Sequence, residues 1–312
     1  MKNAPILLSD SNVVIQDKSG KKKWAACILF LLFFARLPGF AQDFSELRVA
    51  SAAAGYRFTE GPAWSGEFLL FSDIPSNRIL KYTPGQPVAV FRENSGGANV
   101  NAFDARGKLY TCEGGARRVT RTDSQGNVEV LAERFEGKRL NAPNDLTVRR
   151  DGHVYFTDPA FGSLEDTREL PFYGVYHITP RGELSAVSRM DKRPNGIALS
   201  PNGRLLYVVG SDERVVRVYD VDRAGVPSNP RILISGIEGV PDGLRTDEKG
   251  NLYIAAKALL IYTAEGKLLR TVNLAETPSN VEFGDADLQG LYVTARTSVY
   301  HIRLPVKGAA QR

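Results

Sequence analysis

Gly152-His153-Val154-Tyr155-Phe156 is a glycine turn followed by a short apolar strand that ends on aromatic residues, and the chain repeats it five more times. The copies are Gly66-Glu67-Phe68-Leu69-Leu70-Phe71, Gly107-Lys108-Leu109-Tyr110, Gly203-Arg204-Leu205-Leu206-Tyr207, Gly250-Asn251-Leu252-Tyr253 and Gly290-Leu291-Tyr292. The aromatic anchors Phe71, Tyr110, Tyr155, Tyr207, Tyr253 and Tyr292 stand 39, 45, 52, 46 and 39 residues apart, a spacing that suits a four-stranded propeller blade. After each anchor comes a segment of alternating polar and apolar character, such as Arg78-Ile79-Leu80-Lys81-Tyr82 or Val215-Val216-Arg217-Val218-Tyr219. Period-2 alternation with β-branched and aromatic residues predicts strands. A turn and a further strand follow, as at Val128-Glu129-Val130-Leu131. The last repeat has no such outer strand, and Glu46-Leu47-Arg48-Val49-Ala50 is spare at the other end. The predicted fold is therefore all-β, a six-bladed β-propeller over residues 42–312, with the N-terminal strand closing the last blade and hiding the sheet edges.

The 312 residues are 43% hydrophobic and 24% charged, an ordinary globular composition. The net charge of +5 lies mostly in residues 1–41, and the remainder carries only +1, which gives no case for a nucleic-acid partner. Two cysteines exclude a disulfide framework, and three scattered histidines exclude a His-rich metal centre. Residues 1–41 read as a signal peptide with a long n-region. Lys21-Lys22-Lys23 precedes an apolar run of twelve residues from Trp24 to Ala35, and Gly39-Phe40-Ala41 offers a cleavage site after Ala41. That run is too short for a bilayer core of about 30 Å, so no stable membrane anchor is expected after cleavage. Cys27 lies at the start of the run, which argues against a lipid anchor there. The expected location is periplasmic or secreted.

The innermost strands align as Glu60-Gly61-Pro62, Asn99-Val100-Asn101, Asn144-Asp145-Leu146, Asn195-Gly196-Ile197, Asp242-Gly243-Leu244 and Ser279-Asn280-Val281. Their first column is Glu60, Asn99, Asn144, Asn195, Asp242 and Ser279, six oxygen-bearing side chains at one level of a closed ring. Proline precedes four of them, giving each strand a rigid extended approach. Asn or Asp before Gly also makes ordinary turns. Recurrence in register on a ring instead favours a hard cation: calcium takes about six to eight oxygens, and Glu60 and Asp242 would neutralise its charge.

At these motifs the chain resembles the SMP-30/gluconolactonase family of six-bladed propellers, in its gluconolactonase branch. The carriers are Glu60-Gly61-Pro62, Cys112-Glu113-Gly114 with Arg117-Arg118-Val119, Asn141-Ala142-Pro143-Asn144-Asp145-Leu146, Tyr155-Phe156-Thr157-Asp158-Pro159, Arg193-Pro194-Asn195-Gly196-Ile197 and Val240-Pro241-Asp242-Gly243-Leu244. The resemblance implies metal ligands at Glu60, Asn144, Asn195 and Asp242. It also implies Ca2+ or another divalent cation, a small-molecule lactone substrate, and Asp242 as general base. Asn99, Asn144, Glu113, Arg117 and Asp158 become candidates for substrate contact. Alternatively, Arg117 pairs with Glu113 as a structural bridge and Asp158 fixes a turn before Pro159. His153, His177 and His301 lie outside the inner column and read as packing or surface residues, and Cys112 as a small buried apolar one. Three departures alter the substrate-facing wall: Gly114 where the branch has histidine, Asn99-Val100-Asn101 where it has Asn-Gly-Leu, and Ala142 where regucalcins have arginine. The expected activity is metal-dependent hydrolysis of a sugar lactone. The alternatives are a phosphoester or fluorophosphate hydrolase on the same metal site, and a non-catalytic sugar- or protein-binding propeller.

Overall fold

The computed structural model describes residues 15–16, 22–23, 44 and 46–309. The chain divides into two units, Met1–Ala41 and Gln42–Arg312. In the first, the short strands Ile15–Gln16 and Lys22–Lys23 pair antiparallel. The expected apolar run of the leader and its cleavage point lie outside the described residues.

The second unit is built of six antiparallel four-stranded sheets. Their innermost strands are Thr59–Trp64, Ala98–Phe103, Leu146–Val148, Pro194–Leu199, Leu244–Thr246 and Pro278–Gly284. Within the first five sheets the strands follow chain order from the axis outward. The sixth closes the ring, because its outer strand is Val49–Ala54, paired with Ser298–Arg303 in the register Ile302↔Val49 to Ser298↔Ala54. This strand starts three residues later than the sequence predicts, because Leu47 packs against the blade-six core. The described residues contain only short 3-10 turns at Ile74–Ser76 and Gly162–Thr167, and no helix long and apolar enough to cross a membrane.

The six aromatic anchors lie on second strands and are buried at 0–3% exposure. Each fills the space between neighbouring sheets, where a large side chain removes the most apolar area from water. In three blades the anchor hydroxyl meets a turn aspartate: Tyr110 with Asp104 at 3.3 Å, Tyr253 with Asp247 at 3.1 Å, Tyr292 with Asp285 at 2.9 Å. Asp104 and Asp247 also accept the turn's own N–H groups, so one carboxylate sets the turn and satisfies the buried hydroxyl.

Candidate catalytic centre

Four innermost strands break their ladders at the column read from the sequence, between Glu60 and Ala63, Ala98 and Asn101, Pro194 and Ile197, and Pro278 and Asn280. In the other two, regular pairing begins only at Leu146 and Leu244, after the column. Such irregularities release side chains from strict alternation and re-aim them. Hydrogen bonds to backbone carbonyls link the column from blade to blade. Val100 N donates to Asn144 O (3.2 Å), Gly196 N to Asp242 O (3.1 Å) and Gly243 N to Ser279 O (2.8 Å). Ser72 Oγ donates to Asn99 O (2.7 Å) and Thr157 Oγ1 to Asn195 O (2.7 Å). The glycines after Glu60 and Asn195 exist for this ring. A Cβ on Gly61 would lie 2.1 Å from Asn99 O, and one on Gly196 would lie 2.3 Å from Asp242 O. The Asn-Gly and Glu-Gly pairs are thus blade contacts, not turns.

Three carboxylates gather inside the ring: Glu60 and Asp242 from the column, and Asp145, which the sequence reading left without a role. Asn280 Nδ2 bridges two of them, at 3.1 Å from Glu60 Oε2 and 3.3 Å from Asp145 Oδ2. The sequence alignment placed Ser279 in this position. The break after Pro278 shifts the register, and Ser279 Oγ instead binds Thr59 O of blade one and Thr294 O of its own blade. Burial and the neighbouring charges of Asp242 and Asp145 push the Glu60 carboxyl well up, against the Gly61 N–H and Asn280. Burial and Asp145 likewise raise Asp242, opposed by Asn195 and the Arg296 guanidinium. Asp145 is raised to about 6 by burial, opposed by the Arg245 guanidinium. Arg245 Nη1 lies 3.6 Å from Asp145 Oδ1, and its Nε is 3.0 Å from Glu282. Of the three carboxylates, Asp242 keeps partial access to solvent, while Glu60 and Asp145 are buried.

Asn144 and Asn195 are both buried beside this cluster. Asn195 Nδ2 donates to Ser211 Oγ (3.0 Å), which donates to Pro241 O (2.6 Å), so the blade-four asparagine is tied to the segment that presents Asp242. Asn144 is held by its own N–H to Thr157 O at 2.9 Å. The residues fit a hard divalent cation. The donors are all oxygen, the nearest guanidinium pairs with Asp145 and is shared with Glu282, and Asp145 Oδ1 and Asn99 Oδ1 are buried without a hydrogen-bond partner. Among the described residues no three of His, Cys, Asp and Glu form a ready ligand set, so a cation here would need the asparagine amides as well.

The expected substrate contacts separate. Asn99 lies on the ring with its amide oxygen unpartnered. Glu113 is fully buried and bound by Arg92 (2.7 Å), Arg118 (2.6 Å) and Thr120 (2.9 Å). Arg117 does not bridge to it. Its backbone is left-handed (φ 61°), and its side chain donates to Leu140 O at 2.6 Å and Thr167 O at 3.1 Å. Asp158 accepts the N–H groups of Asn141 and Ala142, both at 2.8 Å, and so sets the loop that leads into Asn144. Burial still lifts its carboxyl to about 7. Cys112 is buried and forms no disulfide among the described residues. His153 and His177 stack, with Nδ1 and Nε2 2.7 Å apart, away from the ring on the outer side of the column.

Fold and centre together define a β-propeller enzyme with an axial, oxygen-lined site. The chain belongs to the SMP-30/gluconolactonase family: the SMP-30/Gluconolactonase/LRE-like region matches residues 58–297. It is 33% identical over 289 residues to a gluconolactonase of Zymomonas mobilis, covering 82% of this chain and 81% of that one. A pentonolactonase of Haloferax volcanii is 25% identical over 76% of this chain and 81% of its own. Among solved structures, a gluconolactonase of Xanthomonas campestris superposes with a TM-score of 0.78 at 32% identity, over 84% of this chain and 91% of that one.

Proposed function

We propose that the protein hydrolyses a sugar lactone to the open aldonic acid, with a divalent cation held by Glu60, Asn144, Asn195 and Asp242. Calcium is the expected ion. The observation that carries this reading is the buried three-carboxylate cluster, in which Arg245 pairs with Asp145 alone and spends its other face on Glu282. The lactonase names of the relatives supply the substrate class. A bound cation supplies positive charge to an ester carbonyl as its oxygen becomes anionic. Asp242 is the proton acceptor, because it is the most open of the three carboxylates and the Asn195–Ser211–Pro241 chain fixes the segment that presents it. A carboxylate beside a cation is a weak base, but a lactone is an activated ester and a weak base suffices. Glu60 and Asn195 hold position, Asp145 with Arg245 closes the charge balance below, and Asp158 sets the approach to Asn144. The leader implies export with cleavage after Ala41, which N-terminal sequencing of the mature protein tests.

The direct test is proton release from a panel of aldonolactones before chelation, after it, and after calcium is restored. Hydrolysis is expected to stop and return. Asp242→Asn is expected to lower kcat by about 10²–10⁴-fold. Activity indifferent to chelation would remove the cation from the mechanism. No activity on lactones, with cation bound, would turn attention to phosphoesters and then to a binding role.

A further inference from the structure

On the face opposite the carboxylate cluster, blades three and four frame an open cavity of about 620 Å³. It opens between the turns that follow their innermost strands, Arg149–Asp151 in blade three and Ser200–Arg204 in blade four. Val148 stands four residues beyond Asn144, so about 13 Å of strand separates the cavity from the ring. Its size is that of a small-molecule pocket. Its floor is apolar and buried, made by Val148, Leu199 and Val221.

The walls are cationic. They carry Arg149, Arg150, Arg204 and Arg223 against only Asp151 and Asp222. Asp151 is neutralised by Arg149, and Asp222 is engaged at one oxygen. Asp151 takes a two-pronged contact from Arg149, at 2.8 and 2.6 Å. Asp222 Oδ1 accepts the Val226 N–H at 2.8 Å. Arg149 also donates to Asp222 O (3.0 Å) and Arg223 O (3.2 Å), so it clamps blade three to blade four and holds the cavity's shape. Among the described residues Arg204 and Arg223 have no acidic partner, although the propeller as a whole is almost neutral. The neutral oxygens are spent within the chain: Ser200 Oγ donates to Asn202 Oδ1 at 2.8 Å and accepts Leu205 N–H at 2.9 Å. A polyhydroxylated sugar would find few partners here, which argues against a second copy of the lactone.

We propose that this cavity is a second ligand site, for a small organic anion whose apolar body lies on Val148, Leu199 and Val221 and whose charged group lies between Arg204 and Arg223. Guanidinium groups serve carboxylate and phosphate alike, so both headgroups belong to the same ligand chemistry.

The test uses the intact protein and 1-anilinonaphthalene-8-sulfonate, an anion with an apolar aromatic body, followed by fluorescence. Binding to one site is expected, weakening as salt rises, with displacement by octanoate or n-octyl phosphate and none by gluconolactone. The stronger competitor identifies the headgroup. The double variant Arg204→Glu, Arg223→Glu is expected to lose at least about tenfold in affinity while lactone hydrolysis is unchanged, since both side chains sit on the far face. Arg204→Gln, Arg223→Gln is expected to fall between. Equal affinity in the charge-reversed variant, or displacement by gluconolactone, would overturn the proposal and leave the lactonase reading untouched.

Discussion

Glu60 and Glu113 are buried glutamates on adjacent blades, and their surroundings are opposite. Glu113 lies between two guanidiniums and a hydroxyl, with both oxygens engaged. Glu60 receives only the neutral N–H groups of Gly61 and Asn280, and two further carboxylates face it. Burial is the same, so partner charge is what differs. A buried carboxylate flanked by arginines is a completed structural pair. One flanked by carboxylates carries a cost that the protein alone does not offset and that a cation would. The comparison explains why a conspicuous Glu113 braces blade two while the less conspicuous Glu60 stands in the centre.

Substitution should separate the two by sign. Glu113→Gln strands Arg92 and Arg118 and is expected to destabilise the protein by about 2–4 kcal/mol, toward the low end because both arginines reach solvent. Glu60→Gln removes one of three mutually repelling charges and is expected to stabilise the metal-free protein slightly at neutral pH. Urea unfolding of the chelated variants measures both. Equal losses from both substitutions would break the comparison.

Calcium should then sharpen it. At about 100-fold its Kd, a ligand of the native state adds about 2.7 kcal/mol. That increment is expected in the parent protein and in Glu113→Gln, and is expected to shrink in Glu60→Gln. Calorimetric titration and melting with and without the ion check it. An unchanged increment in Glu60→Gln would place the ion elsewhere.

The blades were legible because a glycine turn and an aromatic anchor are local signals that repeat. The ring level was legible as a recurring backbone position at the start of the innermost strands. Asp145, Asn280 and Arg245 were not, because their meaning lies in contacts across blades: Asn280 reaches Glu60 over 220 residues of sequence and Asp145 over 135. Nor does the alignment reveal that the break after Pro278 moves the axial role from Ser279 to Asn280. Around Glu113 the motif suggested Arg117. The left-handed backbone there turns that side chain to Leu140, and Arg118 takes the place, joined by Arg92 from blade one. A hint was present at Asp145, where a carboxylate replaces the glycine that follows the column residue in blades one, four and five.

The finest distinction is in pH. A carboxyl raised in the folded state contributes stability below its unfolded pKa, and that contribution is lost as pH rises through the folded value. Glu60 is raised well above 4.5, and Asp145 from 3.8 to about 6, both chiefly by burial. Surface aspartates lowered by arginines, such as Asp212 beside Arg193, have the opposite slope, so the raw curve mixes the two. The stability of the parent protein minus that of Glu60→Gln isolates the centre. Without metal, this difference is expected to fall by about 1 kcal/mol or less per pH unit once pH passes about 4.5. With saturating calcium the fall should disappear or reverse, because an ionised Glu60 then has a partner of opposite charge. The corresponding difference for Glu113→Gln should not respond to calcium, since its arginines are present whether or not a cation is. A metal-free difference that rises with pH would mean that Glu60 already has a cationic partner within the protein, and the contrast between the two glutamates would no longer hold.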